Sequence, residues 1–148
     1  MKKIAIASDH GGVVYKNDLK KDLEKEGFIV NDYGTYNEES CDYPDYAIKA
    51  CNSIVNNENE LGVLICGTGI GMSIAANKID GIRCALVNDP EVSKITREHN
   101  NTNVVAMGAR VNDYNTIKEI AINFINEPFS NDQRHINRIN KVMDIEKK

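Results

Sequence analysis

Short apolar runs alternate with longer amphipathic stretches along the whole chain. The first run, Ile4-Ala5-Ile6-Ala7, has no polar interruption, which is typical of a strand covered on both faces. The apolar runs predict five strands, over residues 4–7, 28–33, 61–66, 82–87 and 104–107. The amphipathic stretches predict six helices. Three have definite bounds, at residues 13–26, 113–126 and 132–145. The other three run from residue 43 to about 56, from the end of the glycine-rich segment 67–71 to about residue 78, and onward from about residue 90.

Glycine and proline mark several of the predicted helix ends. Gly27 is placed to end the first helix, Pro44 suits a first helical turn, and Asn88-Asp89-Pro90 is typical of a capped start. Strands that alternate with helices predict a parallel sheet with helices on both faces and right-handed crossovers. We therefore expect one α/β domain over residues 1–148, with a five-stranded, doubly wound, Rossmann-like sheet.

Composition and net charge restrict the classes of partner that the chain can bind. The 148 residues are 41% hydrophobic and 27% charged, with a net charge of −4, so the chain lacks the basic balance that binding to a phosphate backbone requires. No apolar run approaches the roughly 20 residues that span a bilayer, and the N-terminus does not resemble a signal peptide. We expect a cytoplasmic protein that binds neither nucleic acid nor membrane.

Four cysteines, at positions 41, 51, 66 and 84, form no C-x-x-C pair and no zinc-type spacing. In a reducing compartment they are expected to be free thiols. We interpret Cys41, Cys51 and Cys84 as structural and leave Cys66 as a candidate for chemistry.

Chemically active residues cluster where the predicted strands end. In doubly wound sheets, ligands bind beyond the carboxyl ends of the strands. Asp9 and His10 follow the first strand, Cys66 and segment 67–71 end the third, and Arg110 follows the fifth. The remaining candidates come later in the chain and are His99, Asn100, Arg134, His135 and Arg138. Together with His10, this set contains every histidine of the chain.

The glycine-rich segment is the first specific element. Gly67, Gly69 and Gly71 allow close approach of a ligand and direct N–H groups at an anion, beside a helix N-terminus. The spacing departs from G-x-G-x-x-G, because the third glycine comes one residue early, and a tight turn alone would also need glycine. Cys66 lies directly against these N–H groups, which favour a thiolate that could act as nucleophile or general base.

Two arginines near the end of the chain suggest an anion site. Arg134 and Arg138 are four residues apart, so on a helix both guanidinium groups lie on one face. Such a pair can grip a phosphate through charge-assisted hydrogen bonds, although a solvated helix face has the same spacing.

Taken together, these residues resemble the type B ribose-5-phosphate isomerase family, which includes allose and galactose 6-phosphate isomerases. The resemblance covers nearly the whole chain. It lies in segments 8–12, 42–44, 65–78, 81–83, 99–103 and 108–110 and in the tail with Arg134, His135 and Arg138. The block Cys-Gly-Thr-Gly-x-Gly followed by Ala-Ala-Asn-Lys, with a downstream His-Asn, is its most specific part.

The resemblance implies a three-layer α/β/α sandwich and reversible conversion of ribose 5-phosphate to ribulose 5-phosphate through a cis-enediolate, without metal or cofactor. Cys66 would be the general base; family members that lack it use a glutamate after the glycine loop, where this chain has Met72. His99 would help to open the furanose ring, and Asp9 and His10 would bind sugar hydroxyls or assist ring opening.

The resemblance also assigns the substrate contacts. The N–H groups of residues 67–71, that is Gly67, Thr68, Gly69, Ile70 and Gly71, would hold the enediolate oxygen. Thr68 could add a hydroxyl contact. Apart from the resemblance, Tyr43 precedes Pro44 after the second strand and could either line the site or serve as a half-buried packing residue. The remaining contacts would come from Asn100, Arg110, Arg134 and Arg138. Family members are homodimers or homotetramers with sites across a subunit interface, so the tail arginines are expected from the partner.

Three alternatives remain open at this point. The substrate could be allose 6-phosphate or galactose 6-phosphate. The chain could be a non-catalytic sugar-phosphate or nucleotide binding module, which would need the glycine loop and arginines but not Cys66 with His99 and Asp9. A metalloenzyme using Asp9 and the histidines lacks any H-x-x-x-H spacing to support it.

Overall fold

The computed structural model describes residues 2–147 and contains a five-stranded parallel sheet with six helices. The strands are β1 (Lys3–Ser8), β2 (Ile29–Asp32), β3 (Leu61–Cys66), β4 (Cys84–Leu86) and β5 (Val104–Gly108). The helices are α1 (Val13–Lys25), α2 (Tyr43–Val55), α3 (Ile70–Asn77), α4 (Pro90–Asn100), α5 (Tyr114–Asn126) and α6 (Gln133–Asp144). The predicted α/β architecture is confirmed.

The sheet order is β2-β1-β3-β5-β4, and every strand pairing is parallel. The chain therefore builds one half of the sheet with β1 and β2 and the other half with β3, β4 and β5. The direction of winding changes between the neighbouring strands β1 and β3. In the register of the central strands, Ser8 lies opposite Ile65 and Cys66 lies opposite Gly108. The carboxyl ends of β1, β3 and β5 thus meet at one edge of the sheet, where such folds bind ligands.

Alternate residues of the strands supply two cores. Ile4 and Ile6 face one layer with α1 and α5, where Phe124 is fully buried. Ala5 and Ala7 face the other layer with α2 and α3, and Cys66 points to this side. Burial of each large apolar side chain stabilises the fold by roughly 1.5–3 kcal/mol. Because both faces of the sheet carry such side chains, both are covered by helices.

Several ends differ from the sequence prediction by one or two residues. β4 begins at Cys84 and not at position 82, because Gly81 turns the chain at φ +91° and the Arg83 N–H donates to Asn103 Oδ1 at 2.8 Å. The predicted helix signals are confirmed: Gly27 has φ +96° after α1, and Asp89 Oδ1 accepts from the Glu91 and Val92 N–H groups at the start of α4. Within residues 2–147, no helix is both long and apolar enough to cross a membrane.

Candidate active site

One set of predicted residues lies together at the carboxyl edge of the sheet, and we call it the carboxyl-edge group. Parallel register brings its members side by side, since β1, β3 and β5 end at the same level. Its members are Asp9, His10, Tyr43, Cys66, the loop 67–71 and Arg110.

Cys66 is the last residue of β3 and is only 5% exposed. Its Sγ accepts a hydrogen bond from the Gly69 N–H at 3.1 Å. The Ala109 N–H donates to the Cys66 carbonyl at 2.9 Å, so the backbone is held on both sides. The Gly69 N–H therefore directs its positive end at the sulfur atom.

The glycine loop depends on close packing as well as on backbone freedom. Gly69 has φ +80°, and a β-carbon there would lie 2.7 Å from Leu86 Cδ1 and 2.8 Å from the Met107 carbonyl carbon. At Gly108 a β-carbon would lie 2.7 Å from the Thr68 carbonyl. The loop is therefore pressed onto the end of β5, where a side chain at either position would displace it.

The side chains around the loop leave its outer face to solvent. The Thr68 hydroxyl accepts from the Ile70 N–H at 3.2 Å and is exposed at the first turn of α3. The Tyr43 ring covers Gly71, because a β-carbon at Gly71 would lie 2.6 Å from Tyr43 Cζ. The Arg110 guanidinium lies over Gly67, 3.2 Å from where a β-carbon would be. Thr68, Tyr43 and Arg110 thus lie around the glycine loop, next to the N-terminus of α3.

Asp9 and His10 complete this group from β1. Asp9 is 8% exposed, and its Oδ1 accepts from the Gly11 N–H at 2.9 Å. His10 Nδ1 accepts from the Cys41 N–H at 3.2 Å, and the Cys41 thiol lies 3.8 Å from the same nitrogen. Because Nδ1 accepts a backbone proton, neutral His10 carries its own proton on Nε2.

The remaining predicted residues lie at the opposite edge of the sheet, and we call them the amino-edge group. His99 and Asn100 end α4, just before β5 begins, and α6 carries Arg134, His135 and Arg138. His99, Asn100, His135 and Arg138 border a cavity of about 670 Å³, together with residues around the start of β4 and other residues of α6. The expectation that all the candidates gather where strands end is wrong for this group, because residues that lead into a parallel strand lie at its amino end.

His99 and His135 form a stacked pair, with ring centroids 4.5 Å apart and planes at 31°. His135 is 5% exposed and its Nδ1 lies 2.8 Å from the Ser130 hydroxyl, whereas His99 is exposed. Burial lowers the pKa of His135, and the neighbouring His99, Arg134 and Arg138 lower it further against the opposing effect of Asp132. Arg134 and Arg138 are both exposed.

The loop that holds Asn100 is fixed by two partly buried arginines. Arg83 donates to the Asn100 carbonyl at 3.2 Å and to the Asn101 carbonyl at 2.6 Å. Arg97 donates to Asn101 Oδ1 at 3.0 Å and its pKa, like that of Arg83, is lowered by burial. These contacts fix the end of α4, from which the exposed His99 ring stacks on His135.

Sequence reasoning missed two contacts at the carboxyl edge. Cys41, interpreted as structural, touches His10 across 31 positions of the chain, and no periodic pattern signals such a loop contact. Lys16 lies with Val13, Leu19 and Leu23 on the buried face of α1, and its helical spacing from them could have indicated burial. Burial raises the pKa of Cys51 to about 12 and also raises that of Cys84, which fits their structural interpretation.

Across the part of the chain that the structure describes, no group of three or more His, Cys, Asp or Glu side chains is arranged to hold a metal ion.

The chain is similar to known proteins over nearly its whole length. Residues 4–142 match the model of a family described as Ribose/Galactose Isomerase. The protein YwlF of Bacillus subtilis is 48% identical over 147 residues, which is 99% of this chain and 98% of the relative. Ribose-5-phosphate isomerase B of Escherichia coli is 38% identical over 148 residues, covering 100% of this chain and 99% of that protein.

Solved structures give the same answer. Ribose-5-phosphate isomerase B of Clostridium thermocellum superposes with a TM-score of 0.95 at 41% identity, covering 98% of this chain and 97% of that one. With the carboxyl-edge group, these likenesses define the class: the protein is an enzyme, an isomerase that acts on sugar phosphates. The chain belongs to the ribose/galactose isomerase family.

Proposed function

We propose that this enzyme interconverts ribose 5-phosphate and ribulose 5-phosphate through a cis-enediolate, in the non-oxidative pentose phosphate pathway. The names of the E. coli and C. thermocellum relatives support this substrate. The observation that carries the mechanism is the contact between Cys66 Sγ and the Gly69 N–H, at the foot of the glycine loop.

In this mechanism the Cys66 thiolate is the general base. It removes the proton from C2 of the open-chain aldose, so that the C2–H electron pair forms the C1–C2 double bond and the carbonyl electrons move to O1. The same thiol then returns the proton to C1 while the proton of the C2 hydroxyl passes to O1, which yields the ketose with no net change in the enzyme. A positioned base contributes about 10²–10⁴-fold to such a step.

The N–H groups of residues 67–71 would stabilise the developing enediolate oxygen. A proton alpha to a carbonyl is weakly acidic, so stabilisation of the oxyanion is the main requirement. The packing of Gly69 and Gly108 fixes these dipoles before the substrate arrives. Thr68 adds its hydroxyl, while Asp9 and His10 contact the sugar hydroxyls.

The other predicted roles fall to the amino-edge group. His99 acts as the acid that opens the furanose ring, and Asn100 contacts the sugar. Arg134 and Arg138, one helical turn apart on α6, bind the phosphate with Arg110. The phosphate is remote from the reacting carbons, so its binding energy serves to position them.

The two groups are separated by the length of a strand. β5 has five residues and is therefore about 16 Å long. Within one copy of the chain, the two groups lie too far apart to contact the same pentose phosphate. We propose a homodimer or homotetramer in which Cys66 of one copy faces His99, Asn100, Arg134 and Arg138 of another. This arrangement accounts for the exposure of His99 and both arginines.

The test is turnover of ribose 5-phosphate by the purified protein in the presence of EDTA, with wild type compared to Cys66→Ala. We expect wild-type turnover that is insensitive to EDTA, and a loss of at least about a hundredfold in kcat for the variant with substrate binding retained.

Two results would contradict parts of the proposal. Wild-type inactivity on ribose 5-phosphate, with activity on allose or galactose 6-phosphate, would reject the pentose substrate. Near-normal activity of Cys66→Ala would reject Cys66 as the base even if the reaction is right.

A further inference from the structure

Lys16 is a charged side chain in the core of the protein. It is fully buried on α1, among Val13, Leu19 and Leu23. Its Nζ lies 2.8 Å from Asp32 Oδ1 and 2.6 Å from Asp32 Oδ2, and the Asp32 side chain is 12% exposed. A buried ion pair is weak evidence for stability, because desolvation of the two charges offsets their attraction. Its position therefore calls for another explanation.

Asp32 ends β2 at the carboxyl edge and fixes the loop that follows. Its Oδ1 also accepts from the Gly34 N–H at 2.8 Å. Gly34 in turn accepts from the Ser8 N–H at 2.7 Å, and the Thr35 N–H donates to the Ser8 carbonyl at 2.7 Å. The loop after β2 is thereby fastened to the residue that immediately precedes Asp9.

Lys16 and Asp32 also hold the next part of this loop. The Tyr36 hydroxyl donates to the Asp32 carbonyl at 3.1 Å, and Lys16 Nζ lies 5.0 Å from the centre of the Tyr36 ring. Gly34 lies against the rings of Tyr36 and Tyr46, where a β-carbon would be 3.0 Å from Tyr46 Cε1. The loop leaves this clamp towards Cys41, whose N–H donates to His10 Nδ1.

Lys16 reaches the same site from the other side. Its own N–H donates to the Gly12 carbonyl at 2.9 Å, and the Gly12 N–H donates to the Asp9 carbonyl at 3.1 Å. The two loops that carry Asp9, His10 and the partner of His10 thus converge on one ion pair.

From these contacts we infer that Lys16 and Asp32 are positioning residues that hold the loop 33–42 so that His10 keeps its proton on Nε2 and points it at the sugar. The pair does not touch the substrate. The inference rests on the proposed function for its kinetic consequence, but the protonated nitrogen of His10 can be measured without turnover.

The test uses Lys16→Met, which keeps an unbranched side chain one atom shorter than lysine and removes its charge. The ¹⁵N chemical shifts of the imidazole nitrogens, assigned with His10→Gln, report which nitrogen of His10 carries the proton. We expect wild type to show the Nε2–H form and Lys16→Met to show a mixture of both forms. We expect kcat/KM on ribose 5-phosphate to fall by about tenfold or more.

Tyr114→Phe is the control for a general loss of stability. It removes the hydrogen bond from Tyr114 to Asp22, which joins α5 to α1 outside the two groups. This variant should lower the thermal midpoint and leave both the His10 shifts and kcat/KM at wild-type values. If Tyr114→Phe changes the His10 shifts as Lys16→Met does, the inference is overturned. It is also overturned if a folded Lys16→Met protein shows the wild-type His10 shifts.

If Lys16→Met does not fold, the double variant Lys16→Met/Asp32→Leu replaces the pair with apolar side chains, a change that often preserves stability. It lacks the acceptor for the Gly34 N–H and should show the same mixed His10 signal; a wild-type signal in it overturns the inference. If the wild type does not isomerise ribose 5-phosphate, the proposed function fails, and the His10 signal alone still decides the role of the pair.

Discussion

The carboxyl-edge and amino-edge groups are built in different ways. In the first, buried strand ends and a packed glycine loop set the positions of Cys66 and Asp9. In the second, His99, Arg134 and Arg138 project into solvent from the surfaces of α4 and α6. Strand ladders hold side chains more closely than exposed helix ends do, so only the first group is pre-organised within a single chain.

This difference suggests a division of labour. In the proposed mechanism, proton transfer at C1 and C2 and stabilisation of the oxyanion need placement to within a fraction of an ångström, and the core supplies it. Phosphate binding by long arginine side chains tolerates more freedom, because the guanidinium groups adjust to the anion. Under this proposal, the carboxyl-edge group carries the chemistry at C1 and C2, and the amino-edge group supplies the adaptable phosphate contacts and the acid that opens the ring.

The sharpest test of the comparison mixes two inactive variants, Cys66→Ala and His99→Gln. Each alone should lose about 10²–10⁴-fold in kcat. After unfolding and refolding together, the mixed dimers contain one site with both Cys66 and His99 intact, and about a quarter of wild-type activity should return. The measurement is turnover of ribose 5-phosphate against the proportion of the two variants.

Absence of recovery, with mixed dimers demonstrated by native mass spectrometry, would show that both groups serve one chain. Refolded Cys66→Ala alone and refolded His99→Gln alone are the controls for recovery by other routes.

A β-carbon at Gly69 tests how far the carboxyl-edge group depends on packing. Gly69→Ala combines a strained φ of +80° with contacts below 3 Å to Leu86 and Met107. We expect it to lower the free energy of unfolding by about 1–3 kcal/mol and kcat by about a hundredfold. Urea unfolding and steady-state kinetics check the two effects.

Gly27→Ala is the matched control for Gly69→Ala. Gly27 has a similar φ of +96°, but a β-carbon there would meet nothing within 4 Å. It should cost about 1 kcal/mol of stability and leave kcat unchanged. Equal kinetic effects of the two variants would contradict the role given to packing.

Arg138→Ala tests the proposed phosphate contact of the amino-edge group. Loss of one guanidinium should raise KM by about tenfold with a smaller effect on kcat, since the phosphate lies away from the reacting carbons. The exposed Lys141 on the same helix provides the control, because Lys141→Ala removes a cation without a predicted substrate contact. A loss in kcat with KM unchanged would place Arg138 in the chemical step instead.

The smallest expected effect concerns pH and His135. Burial, and after it the nearby His99, lower the pKa of His135 from its usual value near 6.5. The folded protein then binds this proton less tightly than the unfolded chain, so stability present above pH 6.5 is lost as the pH falls below it. Thermal midpoints between pH 7.5 and 5.5 should fall less steeply in His135→Gln than in wild type. Parallel curves for the two proteins would contradict this assignment.

Much of the fold could be predicted because buried parallel strands are continuous apolar runs. Every strand was located, and the error at β4 arose because Ile82 is buried without joining the ladder. The strand order could not be predicted, since nothing in the apolar pattern indicates that β5 inserts between β3 and β4. Crossover choice depends on packing of α3, α4 and α5 that single residues do not reveal.

The position of the carboxyl-edge group was predictable because its residues follow strand ends. Asp9, His10, Cys66 and the glycine loop are consecutive with β1 or β3, and the edge rule locates them. The same rule, applied to the start of β5, would have assigned His99 to the other edge. Lys16 was missed because a lysine is normally exposed, and only its spacing from Val13 and Leu19 indicates otherwise.

The separation of Cys66 from His99 by a full strand has a further consequence under the proposed assembly. An enzyme whose acid and base belong to different copies obeys mass action in its own concentration. On dilution below the dissociation constant of the dimer, activity per milligram declines while each chain keeps its fold, and substrate that bridges two copies opposes that decline. The enzyme would then report its own abundance through its specific activity, a property that a site contained in one chain cannot have.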